Sequence, residues 1–524
     1  MSSDQVDHER KRGAFSSRRV FILAAIGSAV GLGNIWRFPY VAYENGGGAF
    51  MIPYLVALLC AGIPFLLFDY AIGHRHRGSA PLSFARMHRR AEGLGWWQVG
   101  ICFVIAVYYA AVIAWALRYT LFSFNKAWGA DPDGYFFGSF LKAGDVGVST
   151  DVVAGVFVPL ALVWLAMLLI LALGVQRGVG LTSLWSIPVL VIAFTALVVQ
   201  ALLLDGAGTG LNALFTPDWS ELTSASVWAA AIGQIFFSLS IGYGIMITYS
   251  SYVSRREDMT GSGLVVGFSN SSFELLAGIG VFAALGFMAQ ASGEAVGDVA
   301  SGGIGLAFVA FPTIINEAPA GALLGVLFFG SLVIAGLTSL ISVIEVVISA
   351  VRDKLDTTRI RSTVMVVVPA AVLSLALLGT TSGIYVLDIV DHFVNQYGIL
   401  IVAVVSMLVV AWGMRALRVL AAHLNVHGRP LVGSGWRVVA SVVTPAGLTV
   451  VLVLALRDDL RAAYEDYPGW LLGTFGWAVA VALPIIGFLI ARLPWRAGTH
   501  LDGAPPDPAD HVAVAAASTE GDVR

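Results

Sequence analysis

Long apolar runs alternate with short polar segments along almost the whole chain. Each run is close to the ~20 residues that a helix needs to cross a bilayer. The runs lie at approximately 20–42, 49–73, 97–124, 153–174, 181–204, 227–253, 262–290, 321–352, 363–380, 385–414, 435–457 and 470–493. This pattern predicts an all-α polytopic membrane protein with about twelve transmembrane helices.

The composition supports the same prediction. Of the 524 residues, 58% are hydrophobic and only 12% are charged, and a soluble protein could not cover so much apolar surface. Cys60 and Cys102 lie in apolar runs, where they are expected to be small core residues rather than parts of a disulfide or metal framework. We identify no nucleophile–base set in the sequence, so an enzyme is disfavoured.

Basic and acidic residues are segregated between alternate loops. Lys and Arg are concentrated in segments such as 10–19, 75–90 and 352–361, whereas the opposite loops carry mostly acids, as in segment 131–151. Because basic residues mark cytoplasmic loops, we expect both termini in the cytoplasm and the protein in the plasma (inner) membrane. Residues 1–19 would form a cytoplasmic N-terminal segment, and the polar, Pro- and Ala-rich residues 497–524 a disordered cytoplasmic tail.

The first apolar run is interrupted in an unusual way. It contains Gly27, Gly31 and Gly33, followed by Asn34 and Arg37. Broken backbone at membrane depth leaves N–H and C=O groups unpaired unless it lines a cavity or contacts an ion, so the run predicts a discontinuous helix with carbonyls facing a cation. The alternative is a helix-packing face of small residues, which would account for Gly27 and Gly31 but not for Asn34 and Arg37.

A second interruption, SLSIGYG at 238–244, occurs in the sixth run. Breaks in corresponding positions of two five-helix halves predict an inverted repeat with the site between the halves. The repeats would cover about 20–204 and 227–414, and two extra helices would cover 435–493. Oxygen-bearing side chains also occur in apolar context at Asn270, Thr338 and Ser339. Hydroxyls in such positions commonly bond back to the i−4 carbonyl instead of binding a ligand.

The stretch SAVGLGNIWRFPY, followed by ENGGGAFMIPY, closely resembles the first two helices of the neurotransmitter:sodium symporter family. The resemblance is strongest to the bacterial transporters of leucine and other hydrophobic amino acids, and it extends in order and spacing from about Arg12 to Asp391. It implies the 5+5 inverted repeat with discontinuous helices 1 and 6. It also implies sodium-coupled uptake of a substrate by alternating access within a transporter domain at 20–493.

The resemblance also implies two sodium sites and a substrate site between them. The first sodium site would consist of Ala29, Asn34, Ser238 and Asn270, with the substrate carboxylate as a further ligand. The second would consist of Gly27, Val30, Ala335, Thr338 and Ser339. The substrate would contact Ser28, Ala29, Gly31, Gly33, Ile105, Tyr109, Phe237, Ser238, Ser240, Tyr243, Ser339 and Val343. Aromatic and aliphatic members of this set could otherwise be ordinary core residues.

The remaining site residues implied by the resemblance are gates and one acid. Arg37 and Asp391 would form an outer ion pair, Arg12 and Asp353 an inner pair, and Tyr252 would lie near the inner pair. Glu274, in the apolar segment SNSSFELLAGIG, stands where chloride-dependent members of the family have Ser. Its carboxylate would replace the bound anion, so transport is expected to need no chloride. Protonation of Glu274 on the empty return step would give proton antiport as one consequence.

The expected substrate is a neutral amino acid with an aliphatic or aromatic side chain. In the family, monoamine carriers have Asp at the position of Gly31, so a substrate of this chain would have to bring its own carboxylate. A non-transporting amino-acid sensor on the same fold is the alternative. A channel is disfavoured because the sequence has no repeated ring of carbonyls or charges. The expected partners are the substrate, sodium ions and the lipid bilayer, with no nucleic acid; the oligomeric state is left open.

Overall fold

The computed structural model of the chain describes residues 14–299, 303–497 and 499–501. Within these ranges the chain is helical, with connecting segments and no strand, so the predicted all-α membrane class is confirmed. Arg12 and nearly all of the predicted tail lie outside the described residues, as does most of the N-terminal segment.

The helices are numbered here in chain order. The first half contains α1 (Arg18–Ala29), α2 (Leu32–Glu44), α3 (Gly48–His76), α4 (Ala80–Met87), α5 (Arg89–Phe122), α6 (Ala154–Ala172), α7 (Val175–Leu202) and α8 (Ala207–Phe215). The second half contains α9 (Ala225–Ser238), α10 (Ile245–Ser250), α11 (Met259–Ser292), α12 (Gly303–Glu317), α13 (Gly321–Leu355), α14 (Arg359–Leu378) and α15 (Gly383–Gly413). The last three are α16 (Leu417–His427), α17 (Ser434–Asp466) and α18 (Gly469–Ile490).

Among the described residues, 10 continuous helices are long and apolar enough to cross a membrane. The bent pair α1 and α2, whose axes differ by 55°, makes an eleventh candidate span. The sixth predicted run consists of the two shorter helices α9 and α10. Helix ends differ from the predicted ones: α5 begins at Arg89 rather than near 97, and α14 at Arg359 rather than near 363. Polar first turns extend these helices beyond the apolar runs that hydropathy detects.

The break between α1 and α2 is a short extended segment. Val30 (ψ 94°) and Gly31 (φ −125°, ψ −164°) both leave the helical region of backbone conformation. The N–H of Gly31 donates to Asn34 Oδ1 at 2.9 Å, so a side chain of the following helix satisfies a backbone donor that the break sets free. This arrangement follows the rule that helix ends need substitute partners for their unpaired groups.

The break between α9 and α10 depends on left-handed backbone conformations. Gly242 and Gly244 both have φ of 89°, which glycine adopts at little cost, and Ser240 has φ of 53°, which is uncommon for a residue with a side chain. The hydroxyl of Ser240 donates to the carbonyl oxygen of Ser28 at 2.8 Å. This bond ties the second break to the first.

Two long continuous helices occupy the centre of the molecule. Helices α5 and α13 pack along each other and are the most buried of the candidate spans, whereas α17 and α18 are the least buried. Exposed apolar side chains on α17 and α18, such as Val453 and Ile485, face outward. An apolar exterior of this kind is suited to lipid rather than to water.

Two ion pairs that the sequence analysis did not anticipate link α13 to its neighbours α14 and α5. Glu345 on α13 accepts two hydrogen bonds from the guanidinium of Arg359 on α14, at 2.8 and 2.7 Å. Glu92 on α5 accepts from Lys354 Nζ at 2.6 Å. Charged groups at this depth are costly unless paired, so each acid fixes the position of its basic partner's helix end.

Candidate functional site

A cavity of about 60 Å³ lies between the two helix breaks. All the residues predicted to contact a substrate line it: Ser28, Ala29, Gly31, Gly33, Ile105, Tyr109, Phe237, Ser238, Ser240, Tyr243, Ser339 and Val343. Further lining residues are Leu32, Asn34, Tyr108, Asp391 and Asn395. The fold therefore brings these positions, which are far apart in the sequence, to one place, and their role in binding stays a prediction.

The side chains predicted for the first sodium site form one hydrogen-bonded chain. Asn34 Nδ2 donates to Asn270 Oδ1 at 2.8 Å, and Asn270 Nδ2 donates to Ser238 Oγ at 3.1 Å. These three residues and Ala29 are all at least 97% buried. Helices α2, α9 and α11 thus each place an oxygen-bearing side chain beside the end of α1, which is a donor set of the hard kind that alkali and alkaline-earth cations prefer.

The residues predicted for the second sodium site lie where α13 contacts the end of α1. Thr338 Oγ1 lies 3.0 Å from the carbonyl oxygen of Ala335 and 3.1 Å from that of Ile334. Ser339 Oγ lies 3.3 Å from the carbonyl oxygen of Gly27. Val30 is buried in the first break. The back-bonding of Thr338 within its own helix is the ordinary behaviour of a membrane threonine, so the hydroxyl alone does not establish a ligand role.

The carbonyl of Ser28 connects three parts of the site. It accepts hydrogen bonds from Ser240 Oγ at 2.8 Å and from Ser339 Oγ at 3.2 Å. Ser240 belongs to the second break and Ser339 to α13, so the last turn of α1 is held by both. A carbonyl at a helix terminus has no partner within its helix, and here side chains of other elements take that place.

Tyr109 and Gly31 form the wall of the cavity next to the first break. The N–H of Leu32 donates to Tyr109 Oη at 3.3 Å. A Cβ atom on Gly31 would lie 3.2 Å from Tyr109 Oη and 3.0 Å from Ser339 Oγ. Glycine therefore allows the phenol and the serine to approach the backbone, and a larger residue at position 31 would push them away.

The predicted outer gate residues have other partners in this arrangement. The guanidinium of Arg37 lies 4.6 Å from the centroid of the Phe237 ring, a cation–π contact. Asp391 Oδ1 accepts from Asn395 Nδ2 at 2.8 Å, and both residues line the cavity. The ion pair between Arg37 and Asp391 stays a prediction.

The described members of the predicted inner gate are Asp353 and Tyr252. Asp353 Oδ2 accepts from the N–H of Ser79 at 2.8 Å. Tyr252 donates from its hydroxyl to Glu345 Oε1 at 2.9 Å, and its carbonyl accepts from the N–H of Phe15 at 3.2 Å. Glu345 thus connects Tyr252 to the α13–α14 ion pair, a link that the sequence analysis missed.

Glu274 is fully buried on α11 and is held by neutral donors. Gln234 Nε2 on α9 donates to its Oε1 at 2.6 Å, and the hydroxyl of Tyr54 on α3 donates to its Oε2. Asn270, which belongs to the predicted first sodium site, lies one helical turn earlier on the same helix. The carboxylate is therefore positioned to contribute charge to that region.

The sequence analysis did not name several residues that line the cavity or lie in the core around it. Asp69 and Glu345 are acids within apolar runs, the same signal that drew attention to Glu274, and a systematic search for such acids would have found them. Tyr108 and Asn395 carry no comparable signal. In the part of the chain that the structure describes, no group of three or more His, Cys, Asp or Glu side chains could hold a metal ion. The predicted sodium sites depend instead on carbonyl, amide and hydroxyl oxygens.

Known proteins that are similar to this chain are named as sodium-dependent transporters or symporters. The model of the sodium:neurotransmitter symporter family matches residues 12–136 and 130–495. An uncharacterized sodium-dependent transporter of Methanocaldococcus jannaschii is 40% identical over 464 residues, covering 87% of this chain and 93% of the relative. The mouse sodium- and chloride-dependent neutral and basic amino acid transporter B(0+) is 29% identical and covers 91% of this chain and 84% of its own length. The sodium-dependent dopamine transporter of Bos taurus is 30% identical, covering 90% of this chain and 73% of its own.

Gly33→Ala should disturb the site specifically. A Cβ atom at Gly33 would lie 2.1 Å from Cε1 of Phe237, so the ring that supports Arg37 must move. We expect a loss of about 1–3 kcal/mol of stability from overpacking, together with weaker thermal stabilisation by sodium chloride relative to choline chloride.

The matched control is Gly330→Ala on α13, where a Cβ atom would meet nothing within 4 Å. Thermal unfolding of the full-length protein in detergent compares the two variants. If Gly33→Ala unfolds at the same temperature as Gly330→Ala and the native protein, and responds equally to sodium, Gly33 is not required for the packing of the site.

Proposed function

The chain belongs to the sodium:neurotransmitter symporter family, and from this premise we propose that it takes up a neutral amino acid together with sodium ions by alternating access. The observation that carries the proposal is the cavity between two helix breaks, lined by oxygen-bearing side chains from separate helices. Sodium dependence agrees with the family. The amino-acid substrate, the number of sodium ions and the independence from chloride are our own inferences.

An amino-acid carboxylate fits the polar side of the cavity. Because the N–H of Leu32 donates to Tyr109 Oη, the phenolic proton is available to a ligand. The N-terminal turn of α2 faces the same region, and free N–H groups at a helix N-terminus favour an anion. Gly31 supplies no competing carboxylate, which supports a substrate that carries its own and argues against a monoamine.

The apolar side of the cavity favours an aliphatic or aromatic side chain. Ile105, Phe237, Tyr243 and Val343 line it, and a hydrophobic lining of this kind discriminates against a charged group, which would lose its hydration without gaining a partner. The relatives named for neutral and basic amino acids and for dopamine differ in substrate. The proposed substrate class therefore rests on the residues that line the cavity, rather than on the names of the relatives.

Sodium would bind at the two sets of oxygens described above. Ala29, Asn34, Ser238 and Asn270 are proposed for one ion, and Gly27, Val30, Ala335, Thr338 and Ser339 for the other. Moving one charge across 100 mV supplies about 2.3 kcal/mol, so two ions supply roughly 4.6 kcal/mol. By the factor of ten per 1.4 kcal/mol, that is more than a thousandfold accumulation before the sodium gradient itself is counted.

Alternating access requires that the cavity open to each side in turn. We propose that Arg37 and Asp391 close the outer side and that Arg12, Asp353 and Tyr252 close the inner side. Both termini would lie in the cytoplasm, with the protein in the plasma membrane. The two breaks would occupy equivalent positions in inverted repeats at about 20–204 and 227–414. The bond from Ser240 to the Ser28 carbonyl supports a coupled movement of the breaks.

Uptake into proteoliposomes tests the proposal. The full-length protein should accumulate radiolabelled leucine, methionine, alanine or tryptophan under an inward sodium gradient and should not do so when choline replaces sodium. Sodium-dependent binding of an amino acid without accumulation would favour a sensor. Tighter sodium-dependent binding of dopamine or serotonin than of all four amino acids would refute the substrate class.

The chloride requirement tests the proposed role of Glu274. Because a buried carboxylate supplies negative charge near the first sodium site, replacing chloride by gluconate should leave uptake unchanged. Glu274→Ser removes that charge and should make uptake depend on chloride. Glu294→Ser, at an exposed acid beyond the end of α11, should behave as the native protein does. A strict chloride requirement of the native protein would overturn the assignment.

A further inference from the structure

Asp69 is a fully buried acid in the second half of α3 to which the site described above gives no role. Its side chain is 0% exposed. Oδ2 accepts one hydrogen bond, from the N–H of Gly242 at 3.2 Å. Oδ1 has no hydrogen-bond partner among the described residues. Gly242 lies in the left-handed turn between α9 and α10, so the acid contacts the second helix break directly.

The other buried acids of the spans are much better supported. Glu345 has a bidentate pair with Arg359. Glu92 accepts from Lys354 and from the ring nitrogens of Trp96 and Trp495. Glu274 accepts from Gln234 and Tyr54. Each of these carboxylates has a cation or at least two short donors, whereas Asp69 has a single long bond to one backbone N–H.

Within the described part of the chain, the helices packed against this half of α3 offer Asp69 no charge partner. Titratable groups on these helices have other partners: Tyr249 of α10 donates to Ser342, Glu274 of α11 has the partners given above, His423 of α16 pairs with His74, and Arg86 of α4 donates to the carbonyls of His76 and Arg77. The contacting segment of α17, Val439–Val443, carries apolar and serine side chains only. Tyr70, next to Asp69 in sequence, has no partner for its hydroxyl in the described part of the chain.

An ionised carboxylate in these surroundings would be an almost unpaired charge inside the membrane. Such charges are strongly disfavoured, and ionisable groups at membrane depth are normally paired or line a hydrated path. The neutral acid avoids this cost, and its carbonyl oxygen can still accept from Gly242. We propose that Asp69 is a proton-binding site that is occupied in the closed arrangement of the helix breaks.

The position of Asp69 indicates when the proton would leave. If the break between α9 and α10 moves and water reaches the acid, the O–H bond of the carboxyl group breaks and the proton passes to water. Closing then takes one proton back. Since opening releases a proton, raising the pH at that face favours opening, by up to tenfold per pH unit. This release step rests on the proposed transport cycle, whereas the bound proton in the closed arrangement does not.

Infrared spectroscopy of the full-length protein at neutral pH tests the bound proton. We expect the native protein to show the carbonyl stretch of a protonated carboxylic acid that is lost in Asp69→Asn. Asparagine keeps a carbonyl acceptor for the N–H of Gly242, so this variant should unfold near the native temperature. If Asp69→Asn does not fold, Asp69→Ser takes its place in the experiment, because serine also keeps an oxygen acceptor. Glu274→Gln is the matched control and should retain the band assigned to Asp69.

If the native spectrum contains no band that Asp69→Asn or Asp69→Ser removes, the acid is ionised, for example with bound water as its partner, and the proposal is wrong.

A second measurement addresses the release step. Sodium-driven leucine uptake should change with the internal pH of proteoliposomes in the native protein and much less in Asp69→Asn. An unchanged pH profile in Asp69→Asn would contradict release. If neither the native protein nor Asp69→Asn takes up leucine, the proposed function is contradicted and the infrared result still stands.

Discussion

The structure depends on how broken helices satisfy their backbone inside a membrane. Between α1 and α2, and between α9 and α10, carbonyl and N–H groups leave the helical pattern where lipid offers no partner. The protein supplies the partners itself: Asn34 caps the N–H of Gly31, and Ser240 and Ser339 both donate to the carbonyl of Ser28. Two of these groups, the Asn34 amide oxygen and the Ser339 hydroxyl, belong to residues that we propose as sodium ligands.

The contacts that pack the two helix breaks together also form part of the lining of the cavity. The cavity is small and lined by groups from both breaks, and the hydrogen bond from Ser240 to the Ser28 carbonyl links one break to the other. Away from the cavity, Glu345 of α13 accepts hydrogen bonds from Arg359 of α14 and from the hydroxyl of Tyr252. Buried polar contacts of this kind have few alternative arrangements, which suits a molecule that changes between a small number of discrete states.

Much of the fold could be predicted from the sequence because its strongest signals are local. Apolar runs gave the spans, and clustered glycines with Asn34 and Arg37 gave the first break. The resemblance placed Tyr109 and Phe237, which both line the cavity. The rest depends on distant contacts. Asn395 reaches the cavity from a wide π-helical turn at Val394–Ile399, Arg37 lies over the ring of Phe237, and Asp69 meets Gly242 across the core. One sequence does not reveal which of these partners meet.

The central claim is that oxygens at the helix breaks bind sodium, and direct measurement of bound sodium tests it. Radiolabelled sodium and saturating leucine would be equilibrated with the purified full-length protein. We expect the native protein to bind two ions per chain, and Asn34→Ala and Thr338→Ala each to lose one. Thr449→Ala is the control, because the one bond of the Thr449 hydroxyl among the described residues is to its i−4 carbonyl, that of Pro445, and this variant should bind as the native protein does. Full sodium binding by both site variants would contradict the account.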